Sequence, residues 1–268
     1  PGKVVLEIDD VSKNYGEKQV LSHVSLLVER GSKVAFVGQN GQGKTTLAKM
    51  IVSEIPYDGT IKLGHNVQLG YFAQNQADYL DGELTVLDTM FNAANDSNRM
   101  KIRDILGSFL FRGDEVDKKV KVLSGGERNR LALAKMLLSD FNVLVMDEPT
   151  NHLDIESIIW LEQFLTTYSG AVVIVSHDRM FLDNVTNRTI EISVGKIYDY
   201  PKPYTQFLAL RQEIREQQLA SQKNQEKKIQ QTEKLIEKFR AKATKASMAQ
   251  SLMKKLDKIE RIEVDEED

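Results

Sequence analysis

The chain has 268 residues, 41% of them hydrophobic, and carries 36 Lys and Arg against 39 Asp and Glu for a net charge of −3. That length suits one large domain plus an appendage, and the near balance of charge gives no overall nucleic-acid signature. With no cysteine it excludes disulfides, thiolate metal sites and cysteine nucleophiles, which fits a reducing compartment; no apolar run approaches the length of a membrane span.

No secretory signal opens the chain. It begins Pro1-Gly2 rather than with methionine, as expected of a processed product or a fragment of something longer. Val4-Val5-Leu6-Glu7-Ile8 reads as a strand, and two further short strands are expected around residues 19–21 and 25–28. Tyr15, between them, is either an ordinary strand-end tyrosine or a platform on which a base stacks. Gly31-Ser32 turns the chain into Lys33-Val34-Ala35-Phe36-Val37, an apolar run that reads as a buried strand.

That strand runs into Gly38-Gln39-Asn40-Gly41-Gln42-Gly43-Lys44-Thr45, and residues 46–52, opening with Thr46, read as a helix. The pattern is G-x-x-x-x-G-K-[ST], the P-loop, in its strand–loop–helix context. Glycines let backbone amides wrap a phosphate chain closely, and the helix N-terminus adds partial positive charge. Lys44 would reach the β and γ phosphates of a nucleotide and Thr45 would hold Mg²⁺. The plain alternative, a glycine-rich turn with a stray Lys-Thr, does not explain the flanking strand and helix.

Residues 60–63 and 67–72 read as strands, and the second leads into Ala73-Gln74; Gln74 matters only if that strand ends near the phosphates. Residues 84–110 carry helical patterns broken by a polar stretch at 95–98, which suggests a small helical subdomain. Ser124-Gly125-Gly126 opens a helix over 127–138. Serine and glycine are good caps, but a cap does not need two glycines, whereas exposed amides at a helix start make an anion site. One nucleotide does not need two phosphate loops from one chain. The economical reading is that each loop serves a different chain's nucleotide.

Asn142-Val143-Leu144-Val145-Met146 reads as a buried strand ending in Asp147-Glu148. An acidic pair at that end lies where α/β sheets bind ligands. Asp147 suits Mg²⁺, and Glu148 suits a general base for attack on a γ-phosphate. After Pro149-Thr150-Asn151-His152-Leu153, Asp154 is placed to cap a helix over 155–168. Ala171-Val172-Val173-Ile174-Val175 has no polar alternation, as in a parallel sheet, and ends in Ser176-His177-Asp178, with His177 placed for a γ-phosphate contact. A closing hairpin around Gly195 ends the globular part near Tyr200-Pro201-Lys202-Pro203.

The ordered set of Tyr15, the P-loop, Gln74, Leu123-Ser124-Gly125-Gly126-Glu127, Asp147-Glu148, Leu153-Asp154 and His177 resembles an ATP-binding-cassette ATPase domain, over residues 4 to about 200. The resemblance implies an α/β fold with a P-loop core sheet, an antiparallel β subdomain and a small helical subdomain. It implies ATP and Mg²⁺ as cofactors, with ATP sandwiched between one P-loop and the Ser-Gly-Gly loop of a second cassette, in a homodimer or on a partner domain. Tyr15 would stack on the base, residues 38–46 would hold the phosphates, and Gln74 would touch metal or water. Ser124, Gly125, Gly126, Glu127 and Asp154 would contact nucleotide, Glu148 would be the base, and His177 would sense the γ-phosphate.

Glu148-Pro149-Thr150-Asn151-His152-Leu153-Asp154 further resembles the ABC-F group, twin-cassette factors that mostly act on ribosomes; cassettes of membrane transporters usually carry a different pair before Leu-Asp. Residues 223–258 hold eleven Lys and Arg against four acids, a net of +7, and read as two helices joined near 241–247. Residues 240–246 resemble the linker between ABC-F cassettes, which implies a cytoplasmic protein that meets ribosome and transfer RNA and does not insert in a membrane. The expected domains are therefore a cassette over 1–203 and a basic helical hairpin over 204–268.

Residues 64–74 and 123–138 look like a second ABC-F cassette, while residues from about 155 onward look like a first. The chain thus reads as a chimera joined near residues 147–154. Three other readings compete with the ABC-F one: the motor subunit of a transporter, a chromosome-maintenance ATPase, and a module that binds ATP with little hydrolysis. The turn over 148–154 and the basic tail argue against the first. The second needs long coiled coils after the P-loop, where the chain shows no sustained heptads.

Overall fold

The computed structural model describes residues 2–151, 153–240 and 245–262, and the chain divides into two compact units, Pro1–Thr205 and Gln206–Asp268. The first unit opens with two long antiparallel strands, β1 (Val4–Tyr15) and β2 (Lys18–Glu29), where three short ones were expected. Asp10 and His23 explain the difference. Both take a left-handed φ of 51°. Their N–H groups donate to Ser25 Oγ at 3.0 Å and Ser12 Oγ at 2.9 Å. The kink breaks the apolar alternation without ending the pairing, as β-bulges do.

β3 (Lys33–Val37) leads to α1 (Lys44–Ile51), β4 (Asp58–Leu63) returns to the other edge of β1, and β5 (Leu69–Phe72) follows. The helical segment holds α2 (Val86–Ala93), α3 (Ile102–Ser108) and α4 (Gly125–Met136). Then come β6 (Val143–Asp147), α5 (Ile155–Thr167), β7 (Ala171–Val175), α6 (Arg179–Val185) and the hairpin β8 (Arg188–Ser193) and β9 (Lys196–Tyr200).

These strands build two sheets, ordered β2-β1-β4 and β5-β6-β7-β3-β8-β9. In the second, every pairing is parallel except β8 with β9. β3, β6 and β7 are buried along their whole length, which is why they read as unbroken apolar runs. The core fills the space between the sheets around α1, with Phe36, Leu47, Met50, Val145, Val173 and Ile190 packed against Leu6, Ile8 and Leu21.

The second unit is helical. α7 (Tyr204–Arg240) and α8 (Ala246–Leu256) carry the basic tail; the joint at 241–244 lies outside the described residues. Among the unit's described residues Phe207, Ile236 and Ala249 are buried apolar side chains, whereas Leu235 and Met248 stay exposed. After α8 the chain returns to α7: Gln225 donates to the Glu260 carbonyl at 2.8 Å and accepts from the Ile262 N–H at 2.9 Å.

Arg188 ties the two sheets together. It donates to both carboxylate oxygens of Asp199, at 2.9 and 2.6 Å, and to the Leu27 carbonyl of β2 at 2.7 Å. Bidentate charge-assisted pairs are stronger than neutral ones. Arg188→Ala is expected to lower the unfolding free energy by about 1–2 kcal/mol, read as a lower urea midpoint with an unchanged slope.

Candidate nucleotide site

The strand order brings the predicted residues together. β5, β6, β7 and β3 are neighbours and run parallel, so their C-terminal ends share one edge. Gln74 follows β5, Asp147 ends β6 with Glu148 just after it, His177 follows β7, and the P-loop follows β3. Ligands of α/β sheets bind at such an edge.

The P-loop depends on glycine for steric reasons. Gly38 and Gly43 take φ of 144° and 108°. A Cβ on Gly38 would run into the Ile192 carbonyl, and one on Gly43 would meet Val20 Cγ1 at 2.8 Å. Lys44 is 6% exposed and donates to the carbonyls of Gly38 at 2.6 Å and Gln39 at 3.0 Å. Gln42 is turned away, its Oε1 accepting the Val194 N–H at 2.9 Å.

A cavity of about 440 Å³ opens over this loop. It is lined by Asn40, Gly41, Gly43, Lys44, Thr45 and Thr46 of the P-loop segment, by Gln74, Glu148 and His177, and by Tyr15. Tyr15 is half exposed, and its ring carries the Lys13 ammonium 5.0 Å from the centroid. Four wall residues were not anticipated: Lys18, Val20, Asn151 and Val175. Lys18 could have been found, since it pairs with Tyr15 across the hairpin turn. Val20 and Val175 look in sequence like any strand valine.

Asp147 is 2% exposed and accepts a hydrogen bond from Thr45 Oγ1 at 3.2 Å. Burial pushes its carboxyl above the usual range, against the pull of the Thr45 bond and of Lys49 and Lys44. Glu148 sits at φ 50°, a left-handed conformation that is strained for a non-glycine. Its N–H donates to the Val175 carbonyl at 2.8 Å. Its carboxylate accepts the His177 N–H at 3.2 Å and lies 3.4 Å from His177 Nε2. Burial raises the Glu148 carboxyl as well; the His177 N–H and ring pull it down, and Asp147 pushes it further up.

Thr45 and Asp147 are an oxygen pair suited to Mg²⁺, which usually takes one or two protein ligands plus phosphate and water. Among the described residues no group of three His, Cys, Asp or Glu could hold a metal by itself. The donor set therefore fits a magnesium ion that arrives with a phosphate chain.

Ser124, Gly125, Gly126, Glu127 and Asp154 are not in the walls of this cavity. Ser124 and Glu127 form a reciprocal cap on α4: Ser124 Oγ accepts the Glu127 N–H at 3.1 Å, and Glu127 Oε2 accepts the Ser124 N–H at 2.7 Å. A Cβ on Gly126 would stand 2.5 Å from Ser157 Oγ and 2.8 Å from Asp154 Oδ2. Close packing, which sequence reasoning did not see, is thus one reason for the second glycine. Asp154 caps α5 as expected, accepting the Ser157 N–H at 2.7 Å. Gly125 lines a separate cavity of about 180 Å³ that shares Glu148 and Asn151 with the first. His152 lies outside the described residues.

Two family models, both described as ABC transporter, match residues 21–151 and 190–268. ABC transporter F family member 5 of Arabidopsis thaliana is 41% identical over 229 residues, 85% of this chain and 33% of that protein. The ATP-binding protein Uup of Escherichia coli (strain K12) is 41% identical over 224 residues, 79% of this chain and 35% of that protein. The chain belongs to the ATP-binding-cassette family, in its F group.

Cassettes of this family bind ATP and are ATPases. The chain spans about a third of the length of these relatives. A solved ATP-binding subunit of an ABC transporter superposes on the cassette with a TM-score of 0.64, covering 73% of this chain and 89% of that one, at 21% identity. That likeness concerns the fold. No helix among the described residues is long and apolar enough to cross a membrane.

The tight seat of Gly126 gives a direct test. Gly126→Ala forces Ser157 and Asp154 apart and is expected to cost about 1–3 kcal/mol, as overpacking does. A thermal melt would show it as a midpoint lower by several degrees. An unchanged midpoint would mean that the two helix starts separate freely.

Proposed function

We propose that this cassette hydrolyses ATP at the P-loop cavity, and that its Ser124 loop serves the nucleotide of a second cassette docked head-to-tail. One observation carries the first half: Lys44, Thr45, Glu148 and His177 line a single cavity at one sheet edge, and Asp147 is hydrogen-bonded to Thr45 there. The P-loop amides and Lys44 bind the phosphates, and Tyr15 offers its exposed ring to the base. Thr45 and Asp147 would hold Mg²⁺, which would supply charge neutralisation to the phosphates. Glu148 takes the proton of the attacking water. A carboxylate whose proton affinity burial has raised is better matched to that task than an exposed one. His177, with its side chain 60% exposed beside Glu148, orients the γ-phosphate.

The second half rests on the Ser124-Gly125-Gly126 loop standing apart from this cavity. A loop capped at Ser124, with Gly125 partly exposed over the packed Gly126, yet absent from the walls of its own chain's site, suits a neighbour's nucleotide. The basic tail on α7 and α8 then supplies the contact with a polyanion. We read the whole as one cassette of a cytoplasmic translation factor that acts on ribosome and transfer RNA, with RNA phosphate met by the net +7 of residues 223–258.

Glu148→Gln is expected to lower steady-state phosphate release by at least about a hundredfold while ATP binding persists and ATP-loaded protein becomes a dimer by light scattering. Because burial raises the Glu148 carboxyl, the base loses its charge at a higher pH than an ordinary glutamate. Wild-type kcat should therefore fall on the acid side from above the usual carboxylate range. Unchanged turnover in Glu148→Gln would remove it from the role of base, and ATP binding without turnover in the wild type would favour a binding module. Replacing Lys234, Lys238, Arg240 and Lys254 with glutamine should abolish salt-sensitive co-sedimentation with ribosomes and leave intrinsic ATPase activity intact. Equal co-sedimentation would remove the tail from RNA contact.

A further inference from the structure

We infer that Arg130 is a positioning residue that locks the start of α4 to the start of α5, so that the Ser124-Gly125-Gly126 loop and Asp154 meet a partner cassette as one rigid block. The inference rests on the head-to-tail reading above. It starts from a contact that the site chemistry does not use: Arg130 Nη1 donates to Ser157 Oγ at 2.6 Å. Ser157 is fully buried, and its own N–H is held by Asp154 Oδ1 at 2.7 Å. One side chain from α4 thus grips the first turn of α5 through the residue that Asp154 caps.

Packing closes the same joint. The seat of Gly126 leaves no room for a Cβ between it and Ser157 Oγ and Asp154 Oδ2. Asn129, beside Arg130, donates to the Asn151 carbonyl at 3.4 Å in the turn that precedes α5. The two segments cannot slide apart independently while these contacts hold.

The arginine is held there at a cost. Its guanidinium lies over the Phe111 ring, 5.8 Å from the centroid. Its Nε is buried and has no hydrogen-bond partner among the described residues. A buried donor left without an acceptor is unfavourable, and an apolar side chain could pack against Phe111 without it. What an apolar side chain cannot do is donate from α4 to Ser157. Only a long, forked donor combines that reach with a stacking plane. The role that explains the residue is the link between the two loops, not the stability of either helix.

In a head-to-tail dimer this block acts on the other chain's nucleotide, so its effect should appear in trans. The test uses full-length chains carrying two different affinity tags, from which mixed dimers are isolated. One chain carries Lys44→Ala, so the only working site combines the P-loop of one chain with the Ser124 loop of the Lys44→Ala chain. Arg130→Met placed in the Lys44→Ala chain should lower turnover at least tenfold. Placed in the chain with the working P-loop, it should change turnover less than twofold and leave the Kd for a fluorescent ATP analogue unaltered. Ser157→Ala, which removes the acceptor with a smaller change, should show the same asymmetry. Equal effects from both placements, or none from either, would overturn the role of Arg130. Absence of turnover in mixed dimers carrying Lys44→Ala alone would instead overturn the paired-cassette reading, and the Arg130 role with it.

Discussion

The register of four parallel strands is the constraint on which the rest of the cassette depends. Asp147 pairs with Val175, and Val175 pairs with Phe36. The acidic pair, the His177 turn and the mouth of the P-loop therefore lie at one level because their strands are in step. A slip of one residue would turn every side chain to the other face. Strands buried on both sides have no polar alternation to prevent that slip. The anchor sits at the opposite end of the sheet. The ammonium of Lys33, at the start of β3, donates to the carbonyls of Tyr168 and Gly170 at 2.6 Å each, just ahead of β7. Burial pushes this lysine down to about 8, and it also faces the Tyr168 ring. A desolvated cation needs its acceptors, so β3 is held against β7 at one setting.

At the other end of the same strands the problem is reversed. Two carboxylates are drawn out of water beside each other, and the protein only partly compensates them. Asp147 has the Thr45 hydroxyl and two lysines nearby; Glu148 has the His177 N–H and ring. Lys44, the cation closest to the loop, is meanwhile satisfied by carbonyls of its own P-loop. The left-handed turn at Glu148 is one place where this frustration is stored, as strain at functional sites often is. On the proposed reading Asp147 and Thr45 would hold a magnesium ion that offsets the buried charge, and Lys44 would exchange its carbonyl partners for phosphate oxygens.

Most of this site was legible because it is written in short range. The P-loop, the acidic strand end and the His177 turn each carry their strand, turn and residue chemistry within a dozen positions, so pattern alone places them. What was not legible depends on groups distant in sequence. The long hairpin of β1 and β2 looked like three pieces because its kink is held by Ser12 and Ser25 across the strand pair. Asn151 sits in a recognisable turn of the sequence, yet only the fold brings it to the cavity that Thr45 also lines. The second glycine of the Ser-Gly-Gly loop reads in sequence as an anion-binding feature. Its packing against Ser157 appears only once α4 and α5 have been brought together.

That last contact bears on how a cassette can both bind and respond. The cavity over the P-loop and the capped start of α4 belong to one chain, yet they are built from different parts of it. The first hangs from the sheet edge and is fixed by strand register. The second stands on two helix starts held by Arg130, Gly126 and Asp154. A sheet edge whose strands are buried over their full length is stiff, because moving it would break the register. Helix starts joined by a few side-chain contacts can rotate as a body while those contacts persist. On the paired-cassette reading, closing one chain on another's nucleotide then requires no change in the catalytic edge. It requires only that the helix block move, which separates the geometry of the chemistry from the motion that completes it.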